Sequence, residues 1–365
     1  MPNMRMIFHH PLPVRPDAQS ASGIRPYQMI EAFRSLGIEV DPVCGYAADR
    51  ARAIAEVEDR IRKGVRYAFM YGESSTEPTL LTDRHHLPLH PLMDFGFLAR
   101  LRSHSIPLGL FYRDVYWRFP GYGASLPWWK SVAAKALYRY DLYQYQRLLD
   151  RLYLPSMEMA RHVPYVDASR IMALPPGFID RPLGRQQMPA LKLLYVGGLG
   201  EHYQMHELFR ALEMLPQVEL TLCTREAEWV AVRHEYPLPA AGNIRIVHRS
   251  GDGLVELFEQ ASACLLYVRS QSYREFAAPV KLYEYIGAER PVIASSGTLA
   301  GDFVTQHGIG WTIPYGASNI RVLLESMLDA PSLLADKAAA MRGIRPQHTW
   351  QARARTVVAD LAGAP

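Results

Sequence analysis

LPPGFIDRPLGRQQMPALKLLYVGGLG, Leu174 to Gly200, divides the chain in two. Its first part is dense in proline and glycine, which punctuate regular structure rather than continue it, so it reads as a linker. Its last nine residues, KLLYVGGLG, read as a strand and a tight turn, and HELFRALEML follows as a helix. Toward the carboxyl terminus the alternation continues. VELTLCTR and NIRIVHR read as strands, LVELFEQA as a helix, CLLYVRS as a strand, then a KLYEY helix and a PVIAS strand. Toward the amino terminus it runs the same way. MRMIFHH is a strand, Ile24 to Leu36 an amphipathic helix closed by Gly37, and IEVDPVCGY a strand. Asp49 to Lys63 is a charged helix, and YAFMYGES and Ile106 to Tyr112 are strands. Apolar strands alternating with helices argue for an α/β chain with parallel sheets covered on both faces. Two doubly wound halves joined by a linker leave a cleft, and ligands of such sheets bind at the carboxyl ends of the strands.

Length and composition agree. At 365 residues the chain is too long for one ordinary core and suits two domains. Forty basic against 36 acidic residues leave a net charge of +4, too mild and too scattered for a nucleic-acid binder. The three cysteines are far apart, without metal-ligand spacing, and Cys223 and Cys264 sit in apolar runs that suit buried thiols. His85, His86 and His90 lie in a proline-rich loop and form no ligand pattern, and no Asp-x-Asp triplet occurs. MPNMRMIFHHPLP lacks the apolar core of a signal peptide, and no apolar run approaches the ~20 residues that span a bilayer. A cytoplasmic protein is expected, without a resident metal or cofactor.

Chemistry concentrates in PVKLYEYIGAERPVIAS, Pro279 to Ser295, where Lys281 and Glu284 stand three apart on one helix face. A cation beside a carboxylate suits an anionic ligand that also carries hydroxyls; an ordinary surface pair is the plain alternative. The turn Gly197-Gly198-Leu199-Gly200 could bring backbone N–H groups to a phosphate, or could simply be tight. In FYRDVYW, Asp114 stands just beyond a strand's carboxyl end, paired with Arg113 or open to a ligand.

Several segments, in order, resemble the GT-B glycosyltransferases, in particular the large retaining group called family four. LPPGFID resembles that group's inter-domain segment, and YVGGLGEHYQMHELFRAL the opening of its second domain. REFAAPVKLYEYIGAERPVIAS resembles its acidic nucleotide-sugar motif, and HTWQARARTVVADL the closing helix that crosses back to the first domain. The chain also departs from the pattern. Gly198 stands where the group has arginine, and Tyr203 and Gln204 where it has Lys-Gly; those cations normally sit on the donor's diphosphate. Eight residues, not seven, separate Glu275 from Glu284.

The resemblance implies a role for each candidate. Glu284 would accept the ribose hydroxyls, with Tyr283 beside it, and Lys281 would face the phosphates, where charge builds up as the diphosphate leaves. Glu275 matches the motif's first acid. Gly197, Gly198 and Leu199 would approach the diphosphate, with Arg225 supplying the missing cation. Gly23 and Arg25, in the loop ahead of the first helix, would meet phosphate or acceptor. Asp114 would be the base of an inverting transferase, or in a retaining one would hold sugar or acceptor.

The expected organisation is a first, acceptor-side domain over residues 1–175, a linker over 176–190 and a donor domain over 191–345. A helix over 346–365 would return to the first domain, and the two Rossmann-like domains would face a central cleft. The expected function is transfer of a sugar from a nucleotide donor, UDP-linked, to a hydroxyl acceptor, a lipid-linked or polysaccharide bacterial glycan. A non-catalytic scaffold, or a nucleotide-sugar epimerase on the same fold, are the rivals. The helix from Trp129 onward bears on the acceptor. Its stripe Val132, Ala136, Leu137 and Tyr140 would pack on the sheet. A second stripe, Tyr138, Leu142, Tyr145 and Leu149, ringed by Lys130, Lys135, Arg139 and Arg147, would meet an anionic membrane or lie beneath the FYRDVYWRF loop.

Overall fold

The computed structural model describes residues 4–18, 21–119, 121–124, 126–180, 190–200, 203–269 and 279–363. The chain forms two compact units, Met1–Pro176 with Trp350–Pro365, and Gly177–Thr349.

The first unit holds strands β1 (Arg5–His10), β2 (Glu39–Cys44), β3 (Phe69–Glu73), β4 (Leu108–Phe111), β5 (Arg151–Leu154) and β6 (Ile171–Ala173). Helices α1 (Ala21–Ser35), α2 (Ala47–Arg62), α3 (Met93–Ser103) and α4 (Trp128–Leu148) connect them. The sheet is parallel, in the order β2-β1-β3-β4-β5-β6. β3 and β4 are buried along their whole length, as apolar strands covered on both faces must be. A closing helix, Trp350–Leu361, packs on this sheet and buries Trp350, Ala354, Val357 and Leu361 among Phe33, Tyr71, Phe111 and Tyr153. Gly109 makes that approach possible, because a Cβ there would lie 2.7 Å from Leu361.

The second unit repeats the plan. Its strands are β7 (Leu191–Val196), β8 (Val218–Cys223), β9 (Ile244–Val247), β10 (Ala263–Leu266), β11 (Val292–Ser295) and β12 (Gly310–Ile313). They form a parallel sheet in the order β12-β11-β10-β7-β8-β9. Helices α5 (His206–Glu213), α6 (Glu226–Val232), α7 (Val255–Gln260), α8 (Val280–Gly287), α9 (Leu299–His307), α10 (Ala317–Asp329) and α11 (Ser332–Ile344) cover it, with an apolar core on each face. Part of the stretch read as linker belongs to this core: Phe178 is buried and bridges to Thr349.

Two expectations change. α1 begins at Ala21, so Gly23 lies in its first turn and Arg25 in its body, not in the preceding loop. On α4 the second stripe lies beneath Tyr112 and Trp117 of the FYRDVYWRF loop, one of its two expected places, and it is the first stripe, expected to pack on the sheet, that differs. Tyr138, Leu142, Tyr145 and Leu149 are buried, whereas Val132 and Ala136 are exposed and Leu137 and Tyr140 half-buried. The aromatic stripe wins because Trp117 stacks on Tyr138, Tyr112 meets Tyr145, and the Tyr138 hydroxyl donates to the Thr76 carbonyl at 2.6 Å.

Candidate functional site

In a doubly wound sheet the crevice opens where the strand order reverses. In the second unit that point lies between β7 and β10. The turn Gly197–Gly200 leaves β7 there, and α8 comes after β10.

On α8 the Lys281 ammonium donates to Glu284 Oε2 at 2.6 Å, one helical turn on, and both side chains are about three-quarters covered. Burial pushes the Cys223 thiol up, and the Lys281 charge is among those that act on it in the opposite sense. The helix is fixed from behind: the Tyr285 hydroxyl accepts from the Val196 N–H at 3.1 Å, and Leu282, Tyr283 and Ile286 fill the core. Tyr283 is thus a packing residue, its ring against Phe303 and His348, and not a surface group. Glu275 lies outside the described residues.

The turn itself is held tightly. The Gly197 N–H donates to the Cys223 carbonyl at 3.0 Å, and the Gly198 carbonyl accepts from the Tyr195 hydroxyl at 2.7 Å. Leu199 buries its side chain in the core, while its N–H donates to Glu228 Oε2 at 3.2 Å. Arg225, which leads into α6, is largely exposed and pairs with Glu228 Oε1 at 2.6 Å. In the sequence Glu228 reads only as the local partner of Arg225, because the N–H that gives it a place at the turn comes from Leu199, some thirty positions earlier in the chain.

The first unit reverses between β1 and β3. Glu73, at the end of β3, is fully buried between two guanidinium groups, with Arg25 Nε at 3.0 Å and Arg113 Nη2 at 3.4 Å. The Tyr71 hydroxyl adds a third bond at 2.9 Å, and Arg25 lies 3.5 Å from the centre of the Phe111 ring. Arg25 is consequently a buried structural cation, because its helix turns it inward. Burial, with the Arg113 charge close by, pushes His10 down to about 3, so its ring is neutral when Nδ1 meets the Glu73 carbonyl at 2.9 Å. Arg113 is committed to Glu73, while Asp114 Oδ1 accepts from the Tyr116 N–H at 2.6 Å and shapes the turn beyond β4. Among the described residues no group of three or more His, Cys, Asp or Glu is placed to hold a metal ion.

No protein-family model matches the chain, and no curated protein matches it. Solved structures do. Anabaena HepE in complex with UDP superposes with a TM-score of 0.67 at 14% identity, covering 99% of this chain and 100% of that one. Sucrose-phosphate synthase from Thermosynechococcus elongatus gives 0.65 at 15% identity, over 97% of each chain. WaaG, a glycosyltransferase involved in lipopolysaccharide biosynthesis, gives 0.59 at 13% identity, over 98% of this chain and 100% of that one. With two parallel, doubly wound sheets matched along nearly its whole length, the chain has the GT-B fold.

Proposed function

We propose that the protein is a glycosyltransferase that moves a sugar from a nucleotide-sugar, UDP-linked, to a hydroxyl acceptor. One observation carries the reading: a cation–carboxylate pair, Lys281 and Glu284, stands on the helix that follows β10 and is tied through Tyr285 to the end of β7, the two strands between which the sheet reverses. A nucleoside diphosphate presents a ribose diol and two phosphates, and these groups complement that pair. Glu284 takes the ribose hydroxyls. Lys281 lies against the diphosphate and stabilises the charge that grows as it departs. Arg225 supplies a second cation. The UDP and UDP-glucose bound to the similar HepE structures support a uridine donor. Reaction with retention follows from the family-four resemblance, with Asp114 assigned to sugar or acceptor binding rather than to proton abstraction.

The acceptor is proposed to be lipid-linked. α4 supports this through Trp128, Trp129 and Val132, which are 78%, 56% and 59% exposed, with the exposed Lys130 and Arg139 among them. Indole rings flanked by cations suit the headgroup layer of an anionic membrane. No described helix is long and apolar enough to cross one.

The test is calorimetry with UDP. Glu284→Ala should remain folded, because the residue is partly exposed, yet lose roughly 1.5–3 kcal/mol of binding, the scale of a charged hydrogen bond. Unchanged affinity in the folded variant would remove Glu284 from the site.

A further inference from the structure

The glycine turn that would receive the donor's diphosphate already holds an anion of the protein's own. Glu228 Oε2 accepts from the Leu199 N–H at 3.2 Å and from the Thr224 hydroxyl at 3.3 Å, and Oε1 pairs with Arg225 at 2.6 Å. Both groups assigned to the phosphates, the turn's N–H and the replacement cation, are therefore engaged by one carboxylate. Gly198 is part of the arrangement. A Cβ at that position would lie 3.1 Å from Glu228 Oε2, tighter than ordinary contact, so a larger residue would press on the carboxylate. The position where the family-four pattern has an arginine is thus occupied by a residue that makes room for an acid.

We propose that Glu228 is a placeholder for the donor diphosphate, and that it sets the affinity of the site for phosphate groups. The proposal rests on the reading of the turn as the diphosphate site. A carboxylate and a phosphate oxygen are both acceptors for an N–H and for a guanidinium, and they compete for the same donors. While the nucleotide is absent, Glu228 keeps Leu199 N–H and Arg225 paired. As the diphosphate arrives, Glu228 withdraws to water, which its one-quarter exposure permits, and both donors pass to phosphate oxygens. The exchange breaks no covalent bond and moves no proton. Its consequence is a weaker ground-state hold on the diphosphate than the same turn without Glu228 would give, because like charges repel across a few ångströms. A purely structural role makes the opposite prediction. If Glu228 served to orient Arg225 and the turn for the ligand, its loss would weaken binding.

Glu228→Gln keeps the shape and removes the charge, and Glu228→Ala removes the side chain. Calorimetry on the full-length protein should show both variants binding UDP about tenfold or more tightly than the parent, with uridine affinity unchanged because uridine has no phosphate. If the parent binds UDP and neither variant binds it more tightly, the placeholder is overturned while the donor reading stands. If the parent binds no UDP, the donor reading is what has failed, and inorganic pyrophosphate becomes the probe. Tighter pyrophosphate binding by the variants then supports the placeholder by itself, and no gain with pyrophosphate overturns it.

Discussion

A single carboxylate, Glu73, sits at the centre of the first unit's reversal point, and its energetics differ from those of a surface pair. It has no exposed surface, and Arg25, Arg113 and Tyr71 share its two oxygens. Replacing it with glutamine would preserve the shape but leave two poorly hydrated guanidinium groups without a counter-charge. Breaking a buried pair in this way costs about 3–5 kcal/mol. Glu73→Gln should therefore lower the urea midpoint of the first unit's unfolding while leaving the second unit's transition in place; a loss under about 1 kcal/mol would show that Glu73 does not hold the cluster. Neither Glu73 nor Glu228 is visible as a site residue in the sequence, because the partners that place each one, Arg25 and Arg113 for Glu73 and the Leu199 N–H for Glu228, lie tens of positions away. The pairing of Lys281 with Glu284 is legible in the sequence, because three residues on a helix is a local spacing. Gly23 falls in a loop only if the helix start is set three residues too late, and Arg25 differs from expectation because it turns inward to Glu73.

At the scale of elements, α4 shows what periodicity can and cannot decide. Two apolar stripes establish a helix, but the choice of buried stripe depends on what waits above it, and here that is the ring of Tyr112 and Trp117. The same packing buries Asp141, whose Oδ2 accepts from the Thr79 N–H at 2.7 Å while its Oδ1 is without a hydrogen-bond partner. Burial pushes its carboxyl up to about 7 from an ordinary 3.8. The unfolded chain loses this proton near the ordinary value and the folded chain keeps it to about 7, so Asp141 makes stability fall as pH rises through that window. The full penalty, roughly 2–4 kcal/mol, is present above it. Asp141→Asn has no such proton, so it should melt above the parent at pH 8, with the difference vanishing toward pH 4. Parallel melting curves across that range would contradict the assignment. The outer face of α4 is tested with vesicles. Cosedimentation should require anionic lipid, weaken with salt, and fall when Trp128, Trp129 and Lys130 are changed to serine. No binding to anionic vesicles at low salt would favour an acceptor in solution.

At the scale of the molecule, the chain's order and its packing do not coincide. The closing helix is made last, after the whole second unit, yet it belongs to the first. Its inner face supplies Trp350, Val357 and Leu361 to the core around Phe33 and Tyr71. Asp360 binds Arg151 Nε at 2.9 Å and the Tyr153 hydroxyl at 2.8 Å, and Arg353 Nε donates to the Pro176 carbonyl at 3.1 Å. Each large apolar side chain lost from such a core costs about 2–5 kcal/mol, and a domain has only about 5–15 kcal/mol in all. A chain ending at Thr349 should thus lose the fold of its amino-terminal half, although nothing there has been altered. Gly177–Thr349 has its own sheet with a core on each face, and its stability should not depend on the missing helix. Amide exchange distinguishes the two halves directly. In the truncated chain, protection should disappear from β1 and β3 through β5, while β7, β8 and β10 exchange as slowly as in the full chain. Protection kept in β3 and β4 would mean that the first sheet stands without its last helix. Loss in both halves would mean that the second unit, too, depends on the sixteen residues removed.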